Sequence, residues 1–385
     1  MHKSSLATPP RRVSMFLAVW IMCAPAPVTG SEAQPTDTLP PTTLEAAVGA
    51  AANLPRLHSL LVSRRGGMIL ERYYNGKLPK RLANIKSVSK SVISAAVGIA
   101  IDRGLITSAR QPIAYFFPDL LGSDDDAPKR EITIEDLLTM RSGLESTSNR
   151  NYGAWVLSRN WVQYALDRPL LNPPGKTMEY STGNSHLLSA ILTKVTGTST
   201  WHFVQEIIAK PMGFTLARWP RDPQGVYFGG NDMLMTPRQM VAFGELYLNR
   251  GRANGQQIVP ARWVEASLVP RARSRRESGR FYGYGWWMRE MAGHQTIYAW
   301  GYGGQFIFLV PDLDLVIVTT ASTSVSDERR HHRRAVYDLV ERFVIGAISL
   351  AGKDLAVARA LQEDRAGSFH CCAKTFQSLS TQVAD

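Results

Sequence analysis

One tetrapeptide in the sequence has the residue types for nucleophilic catalysis. Ser87 and Lys90 stand three residues apart at the start of a segment, 87–103, whose apolar residues recur at helical spacing. Residues three apart lie on one face of a helix, so the amine of Lys90 can reach the hydroxyl of Ser87. A partly desolvated lysine has a lowered pKa and can act as a base, while the N–H groups at a helix N-terminus favour developing negative charge. The pair therefore indicates a serine nucleophile with its base, although a plain helix start with a solvated lysine has the same residues.

Two further segments supply groups that such chemistry needs. Tyr180 comes shortly before a predicted helix at 187–195, where a phenol can carry a proton between nucleophile and leaving group. The glycine-rich stretch 300–304 runs directly into a predicted strand at 306–310, and its glycines let a backbone N–H approach a substrate carbonyl closely. Together with the N–H of Ser87, such a donor forms a two-donor oxyanion hole.

Other catalytic and cofactor signatures are missing from the sequence. There is no His-Glu-x-x-His and no Cys-x-x-Cys, and the His331-His332 pair stands among four arginines that would repel a cation. The stretch 175–177 ends like a phosphate-binding loop but lacks its first glycine, and no Gly-x-Ser-x-Gly occurs. The sequence therefore requires neither a metal nor an organic cofactor, and it does not indicate an α/β-hydrolase.

Length and composition indicate a folded chain with one or two domains. The 385 residues are 44% hydrophobic and 20% charged, and three cysteines exclude a disulfide-rich scaffold. The formal net charge of +12 is compatible with an anionic partner. Arginines cluster in 271–280 and 329–334, but no aromatic stacking pattern or nucleic-acid motif accompanies them. We interpret both clusters as solvated loops and expect no nucleic-acid partner.

The amino terminus has the pattern of a secretory signal peptide. Basic residues precede an apolar run at 13–28, and small residues at Val28 and Gly30 suit cleavage by signal peptidase. The run is too short to span a bilayer, which takes about 20 apolar residues. We predict a signal peptide at 1–30, a linker at 31–45, and export to the periplasm or the medium without a stable membrane span after processing.

The order of predicted elements is strands, helices and strands again. The hydrophobic periodicity predicts hairpins over 60–72 and 306–319, helices over 87–103, 133–140, 161–166, 187–195, 202–208 and 239–248, and a last helix over 335–350.

This order predicts an α+β fold, in which an antiparallel sheet flanked by helices is built from both ends of the chain and carries an inserted, mostly helical lobe. The predicted boundaries are 46–113 and 265–352 for the sheet domain, 114–264 for the helical domain and 353–385 for a peripheral tail.

Several stretches form a set whose order and spacing are specific. They are Ser87–Ala95, Ile132–Leu144, Pro174-Gly175, Tyr180–Thr182, Leu234–Pro237, Phe243-Gly244, Tyr282–Trp287 and Gly301–Gln305. With this set, the chain from about residue 57 to 350 resembles the serine β-lactamase-like hydrolases, which include class C β-lactamases, DD-peptidases, family VIII esterases and 6-aminohexanoate-dimer hydrolases. The last two stretches of the set look most like the 6-aminohexanoate-dimer hydrolase and esterase branch.

The resemblance implies a β-lactamase/transpeptidase-like fold and a role for each matching residue. Ser87 becomes the acylated nucleophile, and Lys90 becomes the base that activates it. Tyr180 becomes the group that protonates the leaving group and helps water to attack the acyl-enzyme. The N–H of Ser87 and one N–H near Gly301 become the oxyanion hole.

The sequence departs from the family pattern at two positions that contact substrate. Thr182 stands where β-lactamases usually carry asparagine. The Lys-Thr-Gly that binds a carboxylate is missing, and Tyr298, Ala299 and Trp300 take its place, with Gly301 as the oxyanion donor. Without that lysine, the resemblance favours a small-molecule ester or amide that needs no carboxylate.

The same resemblance assigns aromatic residues to the substrate side of the site. Trp300 and Tyr302, with Trp286 or Trp287, are expected to form an apolar wall for the acyl group. Two alternatives stay open: DD-peptidase or β-lactamase activity, and a non-catalytic, penicillin-binding-like scaffold that keeps the fold. The sequence predicts no oligomeric state.

Overall fold

The computed structural model describes residues 39–354 and residue 356 of the chain. The predicted signal peptide therefore lies outside the described residues, as do the first part of the predicted linker and most of the predicted tail.

Both ends of the described chain contribute strands, and the middle contributes most helices. The strands are β1 Leu57–Arg64, β2 Gly67–Tyr73, β3 Ala83–Asn84, β4 Leu234–Met235, β5 Arg252–Ala253, β6 Gln256–Gln257, β7 Ala272–Arg273, β8 Phe281–Tyr282, β9 Trp287–Met291, β10 His294–Gly301, β11 Gln305–Val310 and β12 Leu315–Ala321.

The helices include three with long apolar faces, α2, α7 and α9, together with shorter ones. None of the helices in the described part is long and apolar enough to cross a membrane. The helices are α1 Glu45–Ala52, α2 Ser89–Asp102, α3 Ala127–Arg130, α4 Ile134–Leu138, α5 Tyr152–Val156, α6 Trp161–Leu166, α7 Thr182–Thr196, α8 Thr200–Val204, α9 Pro237–Leu248, α10 Ala261–Ser267 and α11 Arg329–Asp338.

Eight strands form one antiparallel sheet in the order β2-β1-β12-β11-β10-β9-β8-β7. Hairpins join β1 to β2 and β11 to β12, as the alternation of strand and turn residues predicts. Strand β1 pairs with β12, so strands from the two ends of the described chain lie side by side in the sheet. The predicted antiparallel sheet built from both ends is therefore confirmed.

Helices cover both faces of the sheet, so its central strands are apolar on both sides. In β11, Phe306 and Phe308 face one core, while Ile307 and Leu309 face the other. The Ile307 side packs against α2, α7 and α9, and the Phe306 side packs against α1 and α11 with its continuation. Alternate residues of a strand point to opposite faces, which is why one strand serves two cores.

Helix α2 lies in the larger core, where close packing fixes its position. It packs against α7 and α10. At Gly98 an added Cβ would lie 2.2 Å from the Trp263 ring, so the two helices approach at this point only because the residue is glycine. The helix that carries Lys90 and directly follows the turn of Ser87 is thus held in place by the core.

The predicted helix start at Thr133 is confirmed. Its side chain accepts a hydrogen bond from the backbone N–H of Asp136, and the Asp136 carboxylate accepts one from the backbone N–H of Thr133. This reciprocal cap satisfies two donors that the helix would otherwise leave free.

Two of the predicted segments contain structure that their assignment did not predict. Helix α9 falls within the predicted helical domain but packs on β1, β11 and β12, where Gly244 allows close contact with Val316. The predicted linker 31–45 already contains a 3-10 helix, Pro41–Leu44, which leads directly into α1. Burial of Leu44 in the smaller core orders this segment.

The second arginine cluster is helical, so its interpretation as a solvated loop was wrong. Helix α11 begins at Arg329, six residues earlier than predicted, and continues through a π-helix, Leu339–Ile345, to residue 354. His332 and Val336, one turn apart, bury one face of α11 against the sheet. The four arginines occupy most of the other positions in the first two turns of α11. The apolar pattern that marks a helix in the sequence therefore starts only at residue 335.

Candidate active site

Ser87 and Lys90 come together at the start of α2. Ser87 lies in a one-turn 3-10 helix, Lys86–Val88, and Lys90 lies in the first turn of α2 itself. The Lys90 Nζ is 3.1 Å from the Ser87 Oγ. The structure thus places the two side chains as the spacing predicts, side by side at the start of α2.

Lys90 is enclosed by the protein. Its exposed fraction is 3%, and its Nζ donates to the carbonyl of Gly230 at 2.5 Å. Burial lowers the pKa of Lys90 to about 7, and the negative charge of Asp232 opposes this effect. Because a buried ammonium is costly, a large fraction of Lys90 is a neutral amine near neutral pH, which is the form that can take a proton from Ser87.

Tyr180 lies next to Lys90, in the segment that precedes α7. The Lys90 Nζ lies 5.1 Å from the centroid of the Tyr180 ring. Burial raises the pKa of Tyr180 to about 12, and a side-chain hydrogen bond with Ser87 opposes this effect. Tyr180 is therefore a protonated phenol at neutral pH and can donate a proton, whereas Lys90 can accept one.

Tyr180 is fixed by its backbone and by its ring. The hydroxyl of Ser146 donates to the Tyr180 carbonyl at 2.7 Å. The ring stacks on Trp287, with centroids 5.6 Å apart and planes 21° apart, and meets Tyr282 edge-on at 6.1 Å. Trp287 thus supports the proton donor. The resemblance places Trp286 or Trp287 in an apolar wall for the acyl group instead.

Gly301 brings the end of β10 against the turn that carries Ser87. An added Cβ at Gly301 would lie 2.2 Å from the carbonyl oxygen of Ile85 and 3.1 Å from the Cβ of Lys86. No residue with a side chain fits this approach without moving the backbone. The predicted oxyanion donors, Ser87 and the neighbourhood of Gly301, are therefore adjacent.

Trp300 and Tyr302 flank Gly301 on the surface of the molecule. Trp300 is partly buried and contacts Trp287, with ring centroids 6.2 Å apart. Tyr302 is 36% exposed. Both side chains therefore lie next to Gly301, and their contact with a substrate stays a prediction.

Thr182 begins α7 beside the base. It is buried, and its hydroxyl hydrogen-bonds with the hydroxyl of Ser148 at 2.8 Å. An added Cβ at Gly230 would lie 2.8 Å from the Thr182 Cγ2 and 3.1 Å from the Lys90 Nζ, so Thr182 packs against the segment that binds Lys90. Thr182 is therefore packed beside Lys90, and its contact with substrate stays a prediction.

Tyr298 does not face the site, so its assignment to substrate binding was wrong. Its exposed fraction is 0%, and its ring packs with Phe308 and Tyr337 in the smaller core. Trp286 is likewise fully buried and packs with Tyr247, so it cannot form the predicted wall. Successive side chains along a strand point to opposite faces of the sheet. The sequence does not show which of these faces is buried in a core.

Arg280 belongs to the first arginine cluster, which we interpreted as a solvated loop. It is only 6% exposed, and its guanidinium lies 4.5 Å from the Trp287 ring centroid and 5.9 Å from that of Trp300. Its charge lowers the pKa of Tyr180, against the larger effect of burial. For Arg280 that interpretation was wrong, because the aromatic rings and Glu277 hold the charge inside.

A buried His–Asp pair supports the segment that binds Lys90, and sequence reasoning missed it. His186 Nε2 lies 2.9 Å from Asp222 Oδ2, and both side chains are fully buried. The backbone N–H of Gly229 donates to His186 Nδ1 at 3.5 Å, which ties the pair to the residue before Gly230. The partners are 36 residues apart, and no local pattern links them.

No cluster of three or more His, Cys, Asp or Glu side chains suited to a metal ion occurs within residues 39–354.

Comparison with known proteins identifies the family. A family model described as beta-lactamase matches residues 46–341. The chain belongs to the beta-lactamase family. The predicted resemblance and the predicted β-lactamase/transpeptidase-like fold are therefore confirmed.

The similar proteins include hydrolases of several kinds. The 6-aminohexanoate-dimer hydrolase of Paenarthrobacter ureafaciens is 28% identical over 298 residues, which cover 70% of this chain and 73% of that protein. Two solved structures share the fold at 19% identity. EstCE1, a hydrolase with promiscuous acyltransferase activity, has a TM-score of 0.63 and covers 77% of this chain and 99% of its own. A class C beta-lactamase from Rhodobacter sphaeroides has a TM-score of 0.58, with 78% and 98% covered.

Proposed function

We propose that the protein is an exported serine hydrolase that cleaves an ester or amide bond through an acyl-enzyme on Ser87. One observation carries the proposal: the Lys90 Nζ lies 3.1 Å from the Ser87 Oγ, and Lys90 is buried to the point at which its amine is a base near neutral pH. A scaffold without catalysis has no use for a buried lysine beside a serine hydroxyl, because burying an amine is costly.

Acylation begins when the neutral Lys90 amine takes the proton of the Ser87 hydroxyl. The Ser87 oxygen then forms a bond to the substrate carbonyl carbon, and the carbonyl oxygen becomes an oxyanion. The N–H of Ser87 and an N–H at Gly301 stabilise this charge, which is typically worth about 3 kcal/mol per donor. As the bond to the leaving group breaks, Tyr180 gives the leaving group its proton and recovers one from the Lys90 ammonium.

Deacylation reverses these proton transfers. Water attacks the acyl carbon and loses its proton through Tyr180 and Lys90, and the second oxyanion forms in the same two-donor site. The bond to Ser87 then breaks, and Ser87 recovers its proton. Each group returns to its starting state, so Tyr180 and Lys90 act in both halves of the cycle.

The aromatic residues around Gly301 indicate the class of substrate. Trp300 takes the place of the glycine in the missing Lys-Thr-Gly, and the exposed Tyr302 follows Gly301. These rings suit an apolar acyl or leaving group. The relative from Paenarthrobacter ureafaciens is named a 6-aminohexanoate-dimer hydrolase, which supports a hydrolytic reaction here.

A second candidate, DD-peptidase or β-lactamase activity, has one observation in its favour. The guanidinium of Arg333 on α11 lies 5.1 Å from the Trp300 ring, and that of Arg329 lies 5.7 Å from the Tyr302 ring. These cations stand near the place of the missing lysine and suit a substrate carboxylate.

The test is a hydrolysis panel with p-nitrophenyl esters of increasing acyl length, a linear amide and nitrocefin. We expect turnover of the esters by the wild-type protein and none by Ser87→Ala. Faster turnover of nitrocefin than of every ester favours the second candidate. Equal rates for wild type and Ser87→Ala on all substrates contradict the proposal.

Export is part of the proposal and needs its own test. We expect the mature protein secreted from its native host to start at residue 31, because Gly30 ends the predicted cleavage site. Edman or mass-spectrometric analysis of the N-terminus checks this. A chain that keeps residues 1–30 in the cytoplasm contradicts it.

A further inference from the structure

The surroundings of Lys90 include an ion pair that the proposed mechanism does not use. The Lys86 Nζ lies 2.6 Å from the Asp232 Oδ1, and the side-chain amide of Asn84 donates to the same oxygen at 2.8 Å. The two charged side chains are 20% and 21% exposed. Partly buried charges are screened less by water and salt than surface charges, so this pair acts on its neighbours at longer range.

The pair joins the segment of the nucleophile to the segment that holds the base. Lys86 directly precedes Ser87, and Asp232 follows Gly230, the acceptor of the Lys90 amine, by two residues. Beside the pair, β3 and β4 form a two-stranded antiparallel sheet that ties the same two segments together. The ion pair is therefore built into the part of the fold that sets the distance between Ser87 and Lys90.

Both members of the pair have an unusual backbone. Lys86 has φ of 51° and Asp232 has φ of 61°, in the left-handed region that residues with a Cβ avoid. Aspartate tolerates this conformation better than lysine does. Strained residues of this kind persist where surrounding contacts impose them, and they concentrate at functional sites.

Asp232 also acts on the base through its charge. This charge raises the pKa of Lys90, against the larger lowering effect of burial. The groups that contact Lys90 or act on it are Ser87, Tyr180 and Asp232, and Lys86 is paired with Asp232. Two further groups lie beside these: Arg280, whose charge lowers the pKa of Tyr180 against burial, and Tyr152, whose hydroxyl accepts from Asn231.

We propose that Lys86 and Asp232 are positioning residues that together set how readily Lys90 gives up its proton. Asp232 stabilises the ammonium form of Lys90, and Lys86 partly cancels the charge of Asp232. The balance between the two fixes the pH at which Lys90 becomes a base. This inference rests on the proposed function, because it concerns the base of that reaction.

The test measures the rate at which a fluorophosphonate probe labels the protein from about pH 5 to about pH 10. Asp232→Asn removes a negative charge, so the acid limb of the profile moves to lower pH by about one unit, and labelling below the midpoint becomes about 10-fold faster. Lys86→Met removes the cancelling positive charge, so the limb moves to higher pH by a similar amount. The double variant returns close to the wild-type midpoint.

The variants are matched to the local structure. Asparagine suits the left-handed backbone at position 232, and methionine keeps the length of the Lys86 side chain. Lys86→Arg keeps the charge and is expected to keep the wild-type midpoint. If Lys86→Met does not fold, the shift of Asp232→Asn alone still decides.

The outcomes separate this inference from the proposed function. If wild type is not labelled at any pH, the proposed function fails. If wild type is labelled with an acid limb, but Asp232→Asn and Lys86→Met lose rate without moving the midpoint, or move it in the same direction, the pair is only a structural clamp and the inference is overturned.

Discussion

Lys90 and Tyr180 share one environment, yet burial prepares them for opposite tasks. Desolvation disfavours the charged form of each, so it lowers the pKa of the amine to about 7 and raises that of the phenol to about 12. At neutral pH the amine can accept a proton and the phenol can donate one. We therefore expect kcat/KM to rise with pH through about 7, as Lys90 loses its proton.

Tyr180→Phe tests the role of the phenol as proton donor. A p-nitrophenolate leaves without a proton, so this variant is expected to lose little of the acylation rate on p-nitrophenyl esters, measured as the first-turnover release of p-nitrophenolate. An alkyl ester or amide needs the proton, and for such a substrate the loss is on the order of 10²- to 10⁴-fold. The ratio of the two losses is the measurement.

The same variant has a structural control. The phenylalanine ring keeps the stacking on Trp287, so thermal unfolding is expected to change little. An equal loss of the acylation rate on both kinds of substrate would show that the hydroxyl does not act by protonating the leaving group.

At the residue scale, the sequence predicts which side chains take part in the reaction better than it predicts the residues that surround them. Ser87 and Lys90 are local neighbours, so helical spacing alone brings them together. Tyr298 was misassigned because strand residues alternate between faces, and only the packed structure shows which face is covered. Gly230, Asp232 and the His186–Asp222 pair are brought to the site by long-range contacts that no spacing rule anticipates.

At the element scale, the site depends on how closely the end of β10 approaches the turn before α2. Gly301→Ala puts a Cβ within 2.2 Å of the Ile85 carbonyl oxygen, so one of the two backbones must move. This displaces an oxyanion donor, and we expect kcat/KM to fall by about 10²- to 10³-fold. Steady-state hydrolysis of a p-nitrophenyl ester measures it.

Gly67→Ala is the matched control for this variant. Gly67 also stands at the end of a strand, and an added Cβ there meets the Arg64 carbonyl oxygen at 3.5 Å, an ordinary contact. It is expected to keep wild-type activity. If the two variants lose activity equally, the close approach at Gly301 is not what positions the site.

Elements with strong periodicity are predictable from the sequence, and those without it are not. The hairpins of β1–β2 and β11–β12 and the apolar helix α2 are confirmed close to their predicted bounds. The start of α11 was missed because its first turns are mostly arginine, and only contact with the sheet shows that one face is buried.

At the scale of the whole molecule, the buried base makes stability depend on pH. Lys90 has a pKa of about 7 in the folded protein and an ordinary value of 10.5 when exposed. Between these values the unfolded chain binds a proton that the folded protein does not, so this residue makes the free energy of unfolding rise with pH across that window. Below about pH 7 the folded protein carries the full cost of a buried ammonium.

Lys90→Met removes this dependence. We expect the variant to gain stability relative to wild type near pH 7, and the difference in unfolding free energy to shrink by on the order of a few kcal/mol toward pH 10. Urea unfolding of both proteins at several pH values measures it. A difference that stays constant with pH would mean that Lys90 is not desolvated in the folded protein.

The single sheet built from both ends of the chain follows from the sequence more readily than the domain boundaries do. Strands at both ends of the chain and helices between them predict one sheet with an inserted helical part, as the structure shows. The boundary at 264 could not be predicted, because α9 joins the sheet although it is a helix within the helical segment. Periodicity identifies an element, but the partner on which it packs is a property of the whole fold.

The most direct test of the account is to locate the covalent adduct of a fluorophosphonate on the intact protein. We predict one adduct per chain by intact-mass spectrometry, mapped by peptide analysis to Ser87, absent in Ser87→Ala and strongly slowed in Lys90→Met. An adduct on any other residue, or undiminished labelling of Ser87→Ala, would contradict the assignment of Ser87 as the nucleophile.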